Sequence, residues 1–415
     1  MPVMLTRRGW SLLLASGISS AGALATGDPM LLASSLLGIL ALGLSMLYSK
    51  RIHTLLSRAR VSRATGHIKA VEGARVRIAF RVEAPHGLPR GTVVRDSPPR
   101  RVVVVGEPEA LVESTPGGVV EAWYEVRPSV GSHRWSEVEV YAKAPGELAV
   151  ASVRHSLPVL LQAAPSRRAL EQVRLRLAAL TGYSKPVNRR WPLGYEFLEL
   201  REYQPGDDPR LIHWPSTARA GTLVVRETAM ETRLNMTIVL DASGEMWIGG
   251  PLASPIDHAA RLTLALASLA WESGGSASVF LFNGWSCFEA RGAMDTASLA
   301  TVLSRLQEGH GRSTEGLASC ARKASSMRPR RPLILVTGPG VNLAWLVKRV
   351  EESPRPPTPL ILYALMTPTG SSPEERLVRA GALREAEAVG GRRVVAGGWL
   401  ESSIKLLKTL EVYSP

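Results

Sequence analysis

Cysteine is the residue that the sequence most clearly lacks. The chain has only 2 cysteines, Cys287 and Cys320. Two isolated cysteines supply neither a disulfide framework nor the spacing of a zinc site, and they fit a reducing compartment. Cys320 lies inside a predicted helix and Cys287 just after a predicted strand. We therefore expect both to be packing residues rather than nucleophiles.

Motifs of the common hydrolases and nucleotide-binding enzymes are also missing. The sequence contains no Gly-x-Ser-x-Gly elbow, no phosphate-binding Gly-Lys-Ser/Thr loop and no His-Glu-x-x-His helix. The 8 histidines are scattered, and His213 and His310 lie in loop contexts without a paired nucleophile. The sequence predicts no catalytic residue, and we expect a protein that is not an enzyme.

Length and composition indicate a folded chain of several domains. The 415 residues suggest two to three domains, and 45% hydrophobic residues exclude wholesale disorder. The formal net charge of +14 is compatible with nucleic acid, an anionic membrane surface or an acidic partner. Part of the excess adjoins the hydrophobic N-terminus, which favours the membrane.

Two uncharged apolar runs, residues 10–25 and 30–48, lie within residues 1–60. The second is about long enough to cross a hydrocarbon core, and Gly27-Asp28-Pro29 forms a turn between the two. Because positive residues stay cytoplasmic, we expect a transmembrane helical hairpin with both ends inside. The flanking cations are Arg7, Arg8, Lys50, Arg51, Arg58 and Arg60. The expected localisation is the cell membrane, multi-pass with two helices, and the bulk of the chain cytoplasmic.

A cleaved signal peptide is the alternative for residues 1–25. Arg7 and Arg8 would be its charged start, and residues 23–25 (Ala-Leu-Ala) its cleavage site. The anchor would then be one helix, with the same orientation.

Residues 61–165 read as a β-rich, sandwich-like module. Apolar alternation or short apolar runs occur at 75–82, 101–105, 119–126, 135–141 and 148–153, separated by Pro and Gly. This module contains no catalytic cluster, so we expect a spacer or an interaction module. Residues 166–233 follow as a linking helix over 166–180 and a charged, aromatic segment.

Residues 234–415 alternate between strand and helix patterns. Strands are predicted at 236–240, 277–282, 332–336, 359–365 and 393–396. Helices are predicted at 256–271, 294–306, 314–327, 343–350, 373–389 and 401–410. The alternation predicts a doubly wound α/β domain with a mostly parallel sheet covered on both faces.

A polar loop, Asp241-Ala-Ser243-Gly-Glu245, follows the first strand of that domain. Ligands gather at the carboxyl ends of parallel strands, and this oxygen set suits a hard cation such as Mg²⁺. Capping of the turn by Asp241 and Ser243 is the alternative.

The loop resembles the start of the metal-ion-dependent adhesion site of von Willebrand factor A-like domains. That pattern is Asp-x-Ser-x-Ser, with Glu245 here in place of the second serine. The resemblance implies Thr314 as a further ligand and Mg²⁺ as the cofactor of a degenerate site. The acidic residue of the family's last loop is missing, since the chain reads Thr337-Gly338 there.

Residues 194–227 contain a denser motif: Arg-x-Tyr, Pro-Gly-Asp, then Arg, Trp, Ala-Arg and Arg-Glu. Their spacing strongly resembles the signature of the family called domain of unknown function 58. The resemblance implies a membrane hairpin, a β-rich segment and a von Willebrand A-like domain, together with MoxR-type AAA+ ATPases as partners. The matching residues are Arg201, Tyr203, Pro205, Gly206, Asp207, Asp208, Arg210, Trp214, Arg219, Arg226 and Glu227.

Two interpretations of the signature stay open. Arginines interleaved with acids predict an ion-pair lattice that clamps the segment onto the following sheet, with Tyr203 and Trp214 as packing anchors. Arg, Trp and Tyr also dominate protein-recognition surfaces. The balancing acids argue against nucleic acid as the partner.

We therefore expect a membrane-anchored interaction scaffold or adaptor that works with a MoxR-type AAA+ ATPase in assembly or maturation of other proteins. One alternative is a metal-dependent hydrolase using Asp241 and Glu245. Another is a binder of anionic lipid or nucleic acid driven by the net charge.

Overall fold

The structure is a computed structural model of the chain, which forms two compact units, Met1–Gln162 and Ala163–Pro415. It describes residues 3–112, 118–168, 171–172, 187–188, 196–205, 207–231, 234–309, 311, 314–326, 331–352, 361–389, 394–397, 402 and 405–406.

Two consecutive helices open the first unit after the short strand β1 (Val3–Leu5). They are α1 (Arg7–Thr26) and α2 (Pro29–Arg58), joined where Gly27 ends α1 in the left-handed conformation and Asp28 caps α2. The two helices pack closely along each other. At this contact, the hydroxyls of Ser20 and Ser35 share a 2.6 Å hydrogen bond.

Within the described residues, α2 alone is long and apolar enough to cross a membrane, with a mean hydropathy of 2.2 in its most apolar window. Helix α1, the other predicted span, does not meet this combined requirement of length and hydropathy. The apolar run predicted at 30–48 is part of a longer helix, which continues through Lys50 and Arg51 to Arg58.

The rest of the first unit consists of two sheets. Their strands are β2 (Arg60–Arg63), β3 (His67–Val71), β4 (Val76–Ala84), β5 (Thr92–Asp96), β6 (Val102–Val105), β7 (Glu109–Val112), β8 (Gly118–Pro128), β9 (Gly131–Lys143) and β10 (Ala149–Ala164). One sheet has the order β1-β10-β9-β5-β7, with β3 also on β10, and the other has the order β2-β4-β8-β6. The five predicted strands correspond to β4, β6, β8, β9 and β10.

A buried polar chain joins the two sheets. Arg63 of β2 donates to Asp96 of β5 over 2.7 Å, and both side chains are almost fully buried. Tyr124 of β8 donates to the same carboxylate over 2.7 Å. The indole of Trp135, on β9, donates to the Tyr124 hydroxyl over 2.8 Å. The sheets therefore meet through a hydrogen-bonded core contact as well as through apolar packing.

The second unit begins with the signature segment. It forms β11 (Val187–Asn188), β12 (Glu196–Glu202), α3 (Trp214–Ala220) and β13 (Val224–Glu231). The three strands make a small sheet in the order β11-β13-β12. The predicted helix over 166–180 lies mostly outside the described residues.

A six-stranded sheet forms the remainder. The elements are β14 (Asn235–Asp241), α4 (Pro255–Glu272), β15 (Ser276–Phe282), β16 (Cys287–Glu289), α5 (Thr296–Leu303), α6 (Thr314–Ser325), β17 (Leu333–Thr337), α7 (Leu343–Glu351), β18 (Ile361–Met366), α8 (Pro373–Val389) and β19 (Val394–Gly397). The order is β16-β15-β14-β17-β18-β19, parallel except for β16. All of β17 and β18 is buried, as expected of parallel strands covered on both faces. The predicted helix over 401–410 lies mostly outside the described residues.

The expectation of unpaired cysteines is wrong. Cys287 of β16 and Cys320 of α6 form a disulfide with a Cα–Cα distance of 5.4 Å. The two residues are 33 positions apart in sequence. The fold brings them together by packing α6 beside the antiparallel edge strand, which composition and spacing do not reveal.

Candidate functional site

The signature segment is built on two paired strands and a tight turn. β12 and β13 are antiparallel, with Arg201 opposite Val225 and Glu202 opposite Val224. Beyond the ladder, the Tyr203 amide donates to the Leu223 carbonyl over 2.8 Å. These bonds hold together the two ends of the segment that connects β12 to β13.

The turn is held by a bidentate ion pair between Arg201 and Asp207. Two guanidinium nitrogens of Arg201 lie 2.7 Å from the two Asp207 carboxylate oxygens, which is the fork geometry that arginine provides. The Gln204 amide also donates to Asp207 over 2.8 Å. The arginine and then the amide lower the pKa of Asp207 to about 2. The pair therefore stays charged over the physiological range and fixes the turn.

A second cap begins the next part of the signature. Asp208 accepts a hydrogen bond from the Arg210 amide over 2.9 Å and starts a 3-10 turn at Pro209. The Arg210 side chain itself is exposed. The acids of the Pro-Gly-Asp-Asp run thus shape the backbone and leave the following cation facing solvent.

Trp214, the tryptophan of the signature, lies on α3 and is not buried. Trp214 is 65% exposed, so its predicted role as a packing anchor is wrong. It is the first residue of α3. Tyr203, by contrast, is half-buried.

The remaining signature residues fall into two groups. Arg219 and Arg226 are exposed, on α3 and β13. Pro205 is exposed in the turn, Gly206 lies outside the described residues, and nothing is described of the Glu227 side chain. The structure therefore shows one internal ion pair, Arg201–Asp207. It also leaves an outward set of exposed side chains between β12 and β13, namely Arg210, Trp214 and Arg219.

The second predicted site lies at the carboxyl end of β14. Asp241 is fully buried, and its Oδ1 accepts a hydrogen bond from the Ser243 amide over 3.0 Å. Its Oδ2 accepts from the Thr337 hydroxyl over 2.8 Å. Thr337 ends the neighbouring parallel strand β17, so the contact crosses the edge of the sheet where strands terminate. Each carboxylate oxygen therefore has a donor from the chain.

The other predicted ligands are spread around this loop. Ser243 is buried, Glu245 is half-buried in a 3-10 turn at Gly244–Trp247, and Thr314 is half-buried at the start of α6. The segment before Thr314 passes very close to the strand ends, because a Cβ on Gly309 would lie 2.5 Å from the Ala242 carbonyl oxygen. Glycine is needed for that approach.

The donor set at Asp241 fits turn capping more directly than a cation. Mg²⁺ demands near-octahedral oxygen ligands. Within the described residues, no group of three or more His, Cys, Asp or Glu side chains is placed to hold a metal. The hydrogen bonds from Ser243 and Thr337 occupy one lone-pair position on each carboxylate oxygen of Asp241. Mg²⁺ binding by Asp241, Ser243, Glu245 and Thr314 stays a prediction.

Sequence reasoning missed a carboxylate latch over the same edge. Glu375 of α8 accepts hydrogen bonds from the Gly250 amide over 3.0 Å and from the Ser372 hydroxyl over 3.0 Å. The Gly250 bond is the main cause of the lowered pKa of Glu375. The latch ties the loop after Trp247 to the start of α8. A Ser-x-x-Glu spacing at 372–375, typical of a capping box, was the available signal.

A family model described as "Protein of unknown function DUF58" matches residues 199–339. The match runs from the signature strands to the Thr337 loop, so it covers both candidate sites and supports the DUF58 family for this part of the chain. No curated protein matches the sequence significantly.

Proposed function

We propose that this chain is a non-enzymatic, membrane-anchored scaffold that works with a MoxR-type AAA+ ATPase in the assembly or maturation of other proteins. The observation that carries the proposal is the outward set of the signature. Arg210, Trp214 and Arg219 are exposed on a segment that the Arg201–Asp207 pair and the β12–β13 ladder hold in place. Trp and Arg are the residues that most often dominate affinity at protein interfaces.

The contacts that hold the exposed segment in place also support the proposal. The β12–β13 ladder and the Arg201–Asp207 pair fix the backbone on both sides of α3. A surface that is ordered before binding loses less conformational entropy on association. An exposed tryptophan on such a segment favours recognition over a purely structural role.

The membrane part of the proposal is a two-helix anchor. Helix α2 meets the length and hydropathy of a span, and α1 packs along it through the Ser20–Ser35 contact. Arg7 and Arg8 at the start of α1, and Lys50 and Arg51 within α2 beyond its apolar run, favour a cytoplasmic position for both ends of the anchor. Protease protection of a C-terminal tag in sealed inverted vesicles would contradict this orientation.

The proposed role of the α/β unit is that of a von Willebrand A-like platform, with the Asp241 loop as a docking edge. Calorimetric titration of the full chain with Mg²⁺ tests the cation. Binding that Asp241→Asn abolishes would support a metal-bridged contact with an acidic partner. Binding that is unchanged in Asp241→Asn would place the cation elsewhere.

A pull-down from solubilised membranes, with the nucleotide state trapped by ADP and aluminium fluoride, tests the partner. We expect an AAA+ ATPase with the parent chain, and about thirtyfold weaker capture with Trp214→Ala, as for a hot spot of about 2 kcal/mol. Trp285→Ala is the matched control, because Trp285 is 73% exposed outside the signature. Absence of an ATPase, or equal loss in both variants, would refute the proposal.

The two other candidate functions make different predictions. A hydrolase needs a carboxylate that substrate can reach, whereas Asp241 is fully buried; turnover lost in Asp241→Asn would support an enzyme. A nucleic-acid binder predicts affinity that falls steeply with salt. Neither has a specific observation in its favour at these two sites.

A further inference from the structure

A cavity of about 600 Å³ lies in the first unit where α2 meets the β module. Its walls come from Tyr48 and Ile52 on α2, from the turn at Pro89–Gly91 before β5, and from the end of β9 with the following 3-10 turn. The volume is within the range of small-ligand sites. Both proposed functional sites lie in the other unit, so this cavity is separate from them.

The cavity lies beside the end of the apolar run of α2. The exposed apolar side chains of this helix extend from Met30 to Leu47, which is 18 residues or roughly 27 Å at the helical rise. That length is close to the roughly 30 Å of a hydrocarbon core. Tyr48 comes next and is 45% exposed, followed shortly by Lys50 and Arg51. Tyrosine followed by cations is typical of the membrane–water boundary.

Strand β1 and the start of α1 are attached to the elements that form or adjoin the walls of this cavity. The Thr6 amide donates to the Leu148 carbonyl over 3.0 Å, and β1 pairs with β10 in the register Val3 to Ala151. Arg8 of α1 forms an ion pair with Glu147, a lining residue, at 3.1 Å. The cavity is therefore held at the boundary level by contacts within one compact unit.

The charge of the cavity is positive. Arg90 lines it, is exposed, and has no hydrogen bond or ion pair with any described residue. Lys143 also lines it and is 3.1 Å from Glu147. Glu147 is balanced by both Lys143 and Arg8, and the Lys143 contact is the main cause of its lowered pKa. Its negative charge is thus taken up internally, and the Arg90 guanidinium stays available.

The backbone beside the cavity adopts an unusual conformation at Glu147. This residue has a φ of 54°, in the left-handed region that is uncommon for residues other than glycine. Such conformations cluster at ligand-binding sites, where surrounding contacts maintain them. The contacts here are the ion pairs with Arg8 and Lys143.

We propose that this cavity binds the phosphate of an anionic phospholipid, with Arg90 and Lys143 as its cationic ligands and Tyr48 beside the glycerol end. A guanidinium without a partner matches phosphate geometry, and a lysine adds a point charge. A lipid headgroup is favoured over free phosphate because the cavity adjoins the end of the apolar run. The proposal rests on membrane placement of α2 and goes beyond the scaffold function.

The test uses the full chain in a neutral detergent and calorimetric titration with dihexanoyl phosphatidylglycerol. Dihexanoyl phosphatidylcholine and inorganic phosphate are the comparison ligands. Arg90→Gln is the principal variant and Lys143→Gln the second. Arg100→Gln is the matched control, because Arg100 is likewise exposed, lies in another turn of the same module and does not line the cavity.

We expect phosphatidylglycerol to bind more tightly than phosphatidylcholine. Arg90→Gln should weaken that binding about tenfold, as for one lost charged hydrogen bond, while Arg100→Gln leaves it unchanged. Equal weakening in both variants would overturn the site. Inorganic phosphate that binds as tightly as the lipid would overturn the lipid assignment. Vesicle flotation of the full chain separately tests membrane placement, so its failure is distinguishable from failure of the cavity.

Discussion

Replacing Asp96 by asparagine should sharply destabilise the β module. Asp96 is the charge partner of Arg63, and the side chains are 0% and 4% exposed. Among the described residues, the Nε and Nη1 atoms of Arg63 have no hydrogen-bond partner, so the carboxylate carries most of the compensation for burying the cation. Removing one partner of a buried pair typically costs about 3–5 kcal/mol.

The loss should come from charge rather than from the hydrogen-bond chain. Burial, and then the adjacent carboxylate, raise the pKa of Tyr124, so its hydroxyl stays a donor. An asparagine oxygen at position 96 can still accept from Tyr124, and Trp135 can still donate to the phenol. The double variant Asp96→Asn with Arg63→Met removes the stranded cation and should recover most of the loss.

Hydrogen exchange of the full chain in detergent, resolved by peptides, measures this effect where it occurs. Opening of β8 and β9 should become faster by about two to three and a half orders of magnitude, the equivalent of 3–5 kcal/mol. Peptides from β14, in the other unit, serve as the internal control. A change below about tenfold in β8 and β9, or no recovery in the double variant, would refute the reasoning.

Three further perturbations test contacts of the second unit. Cys287→Ser opens the 33-residue loop closed with Cys320 and should cost about 3.7 kcal/mol of unfolding free energy in urea, with no difference from the parent chain under reductant. The pKa of Asp207 lies below its ordinary value of 3.8, so its ion pair with Arg201 stabilises the turn above that pH. Protection of the turn amides, corrected for the intrinsic exchange rate at each pH, should therefore fall as pH falls from about 4 through 2, and Asp207→Asn should remove that dependence. Glu375→Ala should release the Gly250 loop and speed its exchange roughly tenfold at neutral pH, whereas an unchanged rate would show that the latch is not needed.

The α/β unit was the most predictable part of the chain, because its elements have strong periodicity. The strands at 236–240, 277–282 and 332–336 became β14, β15 and β17 within one or two residues. Parallel strands buried on both faces read as continuous apolar runs, and the helices between them show a 3.6-residue period.

The short strands of the first unit were missed for a physical reason. β2 reads Arg-Val-Ser-Arg and looks like the charged flank of α2, and β7 has only four residues. Strands of this length acquire their conformation from their neighbours in the ladder rather than from their own pattern. The partners are β4 for β2 and β5 for β7, and composition does not reveal these pairings.

Contacts between elements were the least predictable feature. The Thr337–Asp241 hydrogen bond joins residues 96 positions apart and needs the order of β14 and β17 in the sheet. The exposure of Trp214 depends on how α3 packs against its neighbours, which the spacing of the motif does not reveal. Motif spacing identifies which residues meet in a segment, and the topology determines what faces solvent.

The disulfide and the cations that flank the apolar run give different information about the compartment of the second unit. A Cα–Cα distance of 5.4 Å permits a bond between Cys287 and Cys320, but the redox potential of the compartment determines whether it forms. In the proposed two-helix anchor, Arg7, Arg8, Lys50 and Arg51 act earlier, at insertion, because flanking cations favour the cytoplasmic side. The proposed orientation therefore rests on the cations. In a reducing cytoplasm the same two cysteines would be adjacent thiols between β16 and α6, and alkylation in intact cells before lysis measures which form is present.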